Sequence, residues 1–140
     1  MKKEIVNPET GEWAEHDVAY SDAVVVHMPD AKRMFISGVA AEGDDIETQT
    51  QATLEKIEDM LSEFGGGMED VVRVRVYINR PEMDEDSLET VHGVRSEFFV
   101  QEHLPASTLI EVEDLVSDEF LIEIDADAVI PDDGWETEHV

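Results

Sequence analysis

The side chains that can do chemistry in this sequence fall at alternating positions of two β-like runs. Over residues 70–79 (DVVRVRVYIN), Val72, Val74, Val76 and Ile78 alternate with Arg73, Arg75 and Tyr77. Over 120–130 (FLIEIDADAVI), Ile122, Ile124, Ala126 and Ala128 alternate with Glu123, Asp125 and Asp127. Successive side chains of a strand point to opposite faces, so each run has a core side and a charged side. Guanidiniums and carboxylates sharing that charged side can make cross-strand ion pairs of ~0.2–1 kcal/mol each. Mixed with leucine and tyrosine, the same charges suit a face that packs on copies of itself. The pattern alone leaves both readings open.

Other chemistries find little support. The chain has no cysteine, which removes disulfides, thiolate metal sites and a thiol nucleophile. His16, His27, His103 and His139 form no ligand-spaced cluster, and no HExxH occurs, so neither a metal nor another cofactor is expected. Gly65-Gly66-Gly67 follows a helical pattern rather than opening one, which does not suit a phosphate cradle. With 36 acidic and 9 basic residues in 140, the formal charge is −27, a field that repels nucleic acid. The acidity is spread along the chain and only four residues are lysine, as expected of a salt-accumulating halophile's cytoplasm. At molar salt the Debye length is ~3 Å, which screens such self-repulsion. No signal-peptide pattern follows Lys2 and Lys3, and no apolar run reaches membrane-spanning length, so a cytoplasmic protein without membrane contact is expected.

The elements that must position these residues can be read in order. One domain is expected over 1–130, with 1–17 an irregular lead-in, and 131–140 a frayed acidic tail whose Trp135 is free to dock. Residues 22–28 and 33–39 read as a hairpin around Pro29-Asp30. A helix follows, with Asp44 or Asp45 as cap, Glu47 completing a capping box, and a stripe of Ile46, Thr50, Leu54, Ile57, Leu61 and Phe64. The three glycines end it. A strand over 70–79, a helix over 84–103 and strands over 107–112 and 120–130 complete a β-β-α-β-α-β-β order of α+β type. Right-handed crossovers place both helices on one face of a mixed sheet, the side of Val72, Ile110 and Ile124. The other side would show Arg73, Arg75, Tyr77, Leu109, Glu111, Glu123 and Asp125.

Several stretches, in order over about 18–130, resemble the Rid (YjgF-like) reactive-intermediate deaminases. Tyr20-Ser21-Asp22-Ala23 resembles the family's Y-S-Q-A, and Ile36-Ser37-Gly38 its V-S-G. Residues 68–73 (MEDVVR) with Val76-Tyr77-Ile78 are similar to its central strand, and Glu97-Phe98-Phe99 to the end of its second helix. Residues 105–112 (PASTLIEV) resemble P-A-R-S-x-V-E-V, and 122–126 (IEIDA) resemble I-E-I-E-A. The resemblance implies a chorismate-mutase-like α+β domain. It also implies a homotrimer with inward-facing sheets and a small-molecule cleft at each subunit boundary.

Deaminating members of that family hydrolyse enamines and imines derived from amino acids to 2-oxo acids and ammonium. Carried over by position, the pocket tyrosine falls on Tyr20 and the water-activating glutamate on Glu123. The Ser-Gly pair falls on Ser37 and Gly38, and the family's helix asparagine on His92. The family's carboxylate-binding arginine is replaced by Ser107, and the small residue after it by Leu109. A guanidinium fork makes charge-assisted bonds of ~1.5–3 kcal/mol each. Its loss therefore implies an altered substrate. Arg73, Arg75 and Arg95 each read as structural first, and Arg75 is the best candidate among them for a relocated anion site. Glu123 reads either as a general base or as an ion-pair partner of Arg73 or Arg75. The functional expectation is thus a deaminase-type hydrolase of small imines or enamines. The alternatives are a metabolite-binding trimer without turnover and, disfavoured by charge, a ribonuclease or translation inhibitor.

Overall fold

The computed structural model describes residues 1–8, 18–82 and 84–140. The element order is β1 (Lys3–Val6), β2 (Ala23–His27), β3 (Ala31–Val39), α1 (Ile46–Glu63), β4 (Val71–Asn79), α2 (Glu85–Phe98), β5 (Ala106–Val112) and β6 (Ile122–Pro131). Short 3-10 turns precede β4, follow it, and follow α2. The strands form one sheet in the order β1-β2-β3-β6-β4-β5, antiparallel except for the β4/β5 pair. The expected β-β-α-β-α-β-β order is present, preceded by one more strand.

That first strand is a correction. The start of the expected irregular lead-in pairs with β2, from Lys3 opposite Val26 to Val6 opposite Ala23. His27 Nε2 meets Glu4 Oε1 at 2.5 Å across the pair. The turn-like residues of the lead-in from 9 to 17 lie outside the described residues.

Both helices cover one sheet face. Met34, Val74, Val76, Ile78, Ile122, Ile124 and Ala126 are buried beneath them, with Leu54, Ile57, Leu61 and Val91 coming from the helices. α1 starts at Asp45, whose carboxylate accepts the Thr48 N–H at 2.8 Å. Such a cap stabilises a helix by about 1 kcal/mol. Glu47 therefore sits inside the first turn, and the expected box from Asp44 does not form. At the other end Gly65 takes φ +81°, and the Gly65 and Gly66 N–H groups donate to Ser62 O and Leu61 O at 3.1 and 2.9 Å. This Schellman closure needs the left-handed backbone that glycine adopts without strain.

α2 is shorter than its pattern implies. It stops at Phe98, not His103, because Phe99 turns extended and buries its ring in the core. Residues Gln101–His103 form a separate 3-10 turn. Two strand faces also differ from expectation. β4 carries a register shift between Val71 and Arg73, so Val71 enters the core and Val72 is exposed. β5 pairs Leu109 with Val76 and Ile110 with Tyr77. Ser107, Leu109 and Glu111 thus share the helix-covered side, while Thr108 and Ile110 share the open side with Arg73, Arg75, Tyr77, Glu123 and Asp125.

The C-terminal residues beyond β6 are docked rather than frayed. Trp135 Nε1–H donates to the buried Asp70 Oδ1 at 2.8 Å. His139 Nε2 lies 3.1 Å from Glu102 O. These residues fold back against the turn after α2, flanking a cavity of about 540 Å³ that Val72, His103 and Leu104 also line.

Candidate functional site

The two central strands bring Glu123 to a gap in β3. The β3/β6 register shifts between Ile36 and Val39, where Ser37 and Gly38 bulge. Gly38 leaves room for the Glu123 carboxylate, since a β-carbon there would lie 2.7 Å from Glu123 Oε2. Ser37 Oγ–H donates to Ser21 O at 2.6 Å and Ser37 N–H donates to Asp22 O at 2.9 Å. Those bonds hold the segment that presents Tyr20. Tyr20, Ser37, Gly38 and Glu123 line one cleft of about 540 Å³, closed by Ala40, Val116 and Phe120.

The walls of this cleft depend on a residue the sequence pattern passed over. Gln49 is fully buried in α1. Its Nε2 donates to Gly43 O at 3.0 Å and Glu119 O at 2.8 Å, and its Oε1 accepts the Leu121 N–H at 2.8 Å. One amide therefore anchors both the loop after Ala40 and the backbone on either side of Phe120. A polar residue next to the apolar stripe was its only trace in the sequence. Ala40, Val116 and Phe120 carried no signal at all.

Among the described residues no cationic side chain lies within ion-pair distance of Glu123. Arg75 is committed to Asp125 at 2.7 Å and Asp127 at 3.5 Å. Tyr77 O–H donates to Asp125 Oδ2 at 3.2 Å, and Arg73 Nη1 donates to Thr108 Oγ1 at 3.2 Å. Burial, with the Asp125 charge adding to it, raises the Glu123 pKa above the ordinary glutamate value. The Asp125 bond and charge raise that of Arg75. Arg75 thus lies on the open sheet face with its charge matched and lines neither this cleft nor the next.

His92, Ser107 and Leu109 are placed elsewhere. Leu109 and His92 line a second cleft of about 310 Å³ between α2 and β5, together with Leu88, Glu89, Val91 and Arg95. Ser107 stands beside it, accepting a hydrogen bond from Arg95 Nη2 at 2.7 Å. The sheet face of Leu109 is opposite that of Glu123, and β4 separates their strands. Within one chain the two groups cannot line the same site. Among the described residues no set of three or more His, Asp or Glu side chains could hold a metal ion, and no helix is long and apolar enough to cross a membrane.

Two helices on one face of a mixed six-stranded sheet, with a glutamate seated on a strand bulge, define an α+β domain of the chorismate-mutase-like class. Residues 14–130 match the family model described as endoribonuclease L-PSP, and the chain belongs to that family, which includes the YjgF and Rid proteins. A RutC family protein of Synechocystis is 32% identical over 102 residues, 73% of this chain and 72% of that protein. A RutC family protein of Pyrococcus abyssi is 38% identical over 82 residues, 59% of this chain, and the match spans 60% of that relative's length. The crystal structure of a YjgF-family protein from Mycobacterium tuberculosis superposes with a TM-score of 0.75 at 31% identity, covering 92% of this chain and 100% of that one. The crystal structure of a Thermotoga maritima protein described as a putative endoribonuclease gives 0.66 at 32% identity, covering 81% of this chain and 87% of that one.

Proposed function

We propose that this chain is a hydrolase of small imines and enamines, working in clefts between the subunits of a homotrimer. The observation that carries this reading is the Glu123 carboxylate. It lies over Gly38, faces the Tyr20 cleft, and forms no pair with the arginines of its own sheet face. A carboxylate that no described cation pairs with, beside a cleft and with its proton affinity raised, is suited to take a proton from water.

In the proposed reaction the enamine first takes a proton from solvent on its carbon and becomes an iminium ion. Glu123 accepts a proton as a water oxygen bonds to the iminium carbon. That proton passes to the nitrogen of the resulting carbinolamine, the C–N bond breaks as Glu123 takes the hydroxyl proton, and the departing ammonia picks that proton up, so ammonium and a neutral carbonyl product leave. Tyr20 walls the cleft. Ser37 and Gly38 keep the seat for Glu123, the first by bonding Ser21 O and the second by its missing side chain.

His92, Ser107 and Leu109 belong to a half-site that faces away from Glu123 in the same chain. A neighbouring copy packed on the open sheet face would bring its own α2/β5 edge to the Glu123 half. Closed symmetric assemblies repeat one such contact at every subunit. Arg75 is then part of the packed face rather than of the cleft.

Ammonium release from freshly generated 2-aminoacrylate tests the reading. The wild-type protein should release it above the buffer rate, and Glu123→Gln should lose at least a hundredfold, within the ~10²–10⁴ usual for general base catalysis. A folded oligomer with no rate above buffer, which binds a ligand and returns it unchanged, would be a binding protein instead.

A further inference from the structure

Arg95 is held in a way unlike a surface arginine of an acidic protein. Among the described residues no carboxylate lies within ion-pair distance of it, in a chain with 36 acidic residues. It donates instead to a neutral partner, the Ser107 hydroxyl, at 2.7 Å. The side chain is partly buried, and that burial pushes its pKa down. A guanidinium carries five N–H donors in a rigid plane, and the Ser107 bond uses one. The cleft it borders has an apolar floor of Leu88, Val91 and Leu109, with His92 and Glu89 also lining it.

We propose that the Arg95 guanidinium, oriented by Ser107, binds the carboxylate of a small ligand whose apolar part rests on Leu88, Val91 and Leu109. An unpaired, partly dehydrated cation gains most from an anion that offers two oxygens to its fork. Glu89 on the same cleft repels an anion, so discrimination depends on contact with the fork rather than on the general field. Ser107 is a positioning residue here, since its oxygen accepts from Arg95 and leaves the outer N–H groups to the ligand. Arg95, and not Arg75, then supplies the cation missing from position 107. The binding claim stands on this cleft alone. It rests on the hydrolase reading only in placing the ligand's reactive end toward Glu123 of a neighbouring copy.

Calorimetric titration with butanoate and with butanamide, its neutral match, tests the assignment in the lowest salt that keeps the protein assembled by sedimentation. Wild-type protein should bind butanoate at least tenfold more tightly than butanamide. Arg95→Ala should remove that preference, Arg95→Lys should keep part of it, and Arg80→Gln, on an exposed pair with Glu111, should keep all of it. Butanoate should also shift the Arg95 side-chain N–H resonance in unaltered protein, a readout that needs no variant. Equal binding of the two ligands by wild type, an unmoved resonance, or butanoate affinity unchanged in assembled Arg95→Ala would overturn the proposal. Loss of butanoate preference in Arg95→Ala, in a protein that releases no ammonium, would uphold this site while the hydrolase reading fails. Ammonium release with no butanoate preference would do the reverse.

Discussion

Glu123 and Gly38 are matched by shape. The carboxylate of one fills the volume that a β-carbon of the other would take, with Oε2 only 2.7 Å from that point. The intruding atoms belong to the end of a flexible side chain, so an alanine at 38 displaces the carboxylate more readily than the backbone. Gly38→Ala should therefore fold, with stability within about 1 kcal/mol of wild type, yet lose activity to the level of Glu123→Gln. A crystal structure of the variant should show the carboxylate swung out of the Tyr20 cleft. Full activity in Gly38→Ala would show that the seat does not matter.

The raised Glu123 pKa has a thermodynamic consequence with a definite sign. An unfolded glutamate titrates near 4.5, and the folded one binds its proton more tightly. Between those two pKa values the native state holds more protons than the unfolded state, so stability falls as pH rises through that window. The contribution is fully present below pH 4.5 and lost above the folded pKa. Glu123→Gln removes this dependence. Thermal melts should show the variant gaining on wild type as pH rises from 4.5 toward 7, and the gain should vanish at lower pH. A constant difference across the range would contradict the assigned shift.

Gln49 gives a prediction about the cleft wall. Gln49→Leu keeps the volume but leaves Gly43 O, Glu119 O and the Leu121 N–H without their partner. Stranded backbone groups of this kind cost roughly 1–3 kcal/mol each when they stay buried. The loops can reach water instead, so a total of about 2–4 kcal/mol is expected in urea unfolding. Hydrogen exchange should accelerate at Leu121 before it does in α1. Uniform acceleration across the domain would mean that Gln49 supports the core and not the wall.

Much of this fold was legible because burial contrast was strong. β6 alternates buried and half-buried residues without a break, and α1 buries most of its predicted stripe. The errors fall where that contrast fades. β5 lies at the sheet edge with nearly every residue exposed, so the alternation does not decide between Leu109 and Ile110 as the inward residue. Val72 leaves the face its alternation implies because β4 shifts register at its start, and a single extra residue flips every side chain before it. The Tyr20, Ser37, Gly38 and Glu123 grouping was readable through the resemblance. The pairing of Arg95 with Ser107 was not, because it joins a helix to a strand across an intervening turn.

The docked tail can be checked through Asp70. Its Oδ2 accepts the Gly67 N–H at 2.9 Å, and its Oδ1 accepts from Trp135. Trp135→Phe keeps a ring but strands a buried carboxylate oxygen. Urea unfolding should show a loss of about 1–3 kcal/mol, and protease should cut the tail sooner. Unchanged stability and cleavage would mean the contact is incidental.

The central claim is that each site is built from the Glu123 half of one copy and the Leu109 half of another. Mixing two inactive variants tests it most directly. Glu123→Gln removes the proposed proton acceptor, and Leu109→Trp fills the cleft between α2 and β5. Co-refolded in equal amounts, random assembly leaves about a quarter of the clefts with both halves intact, because each cleft draws on two chains. We predict recovery of about a quarter of wild-type ammonium release in the mixture. Mixed oligomers confirmed by mass spectrometry that recover nothing, or a fully active Leu109→Trp, would contradict the account.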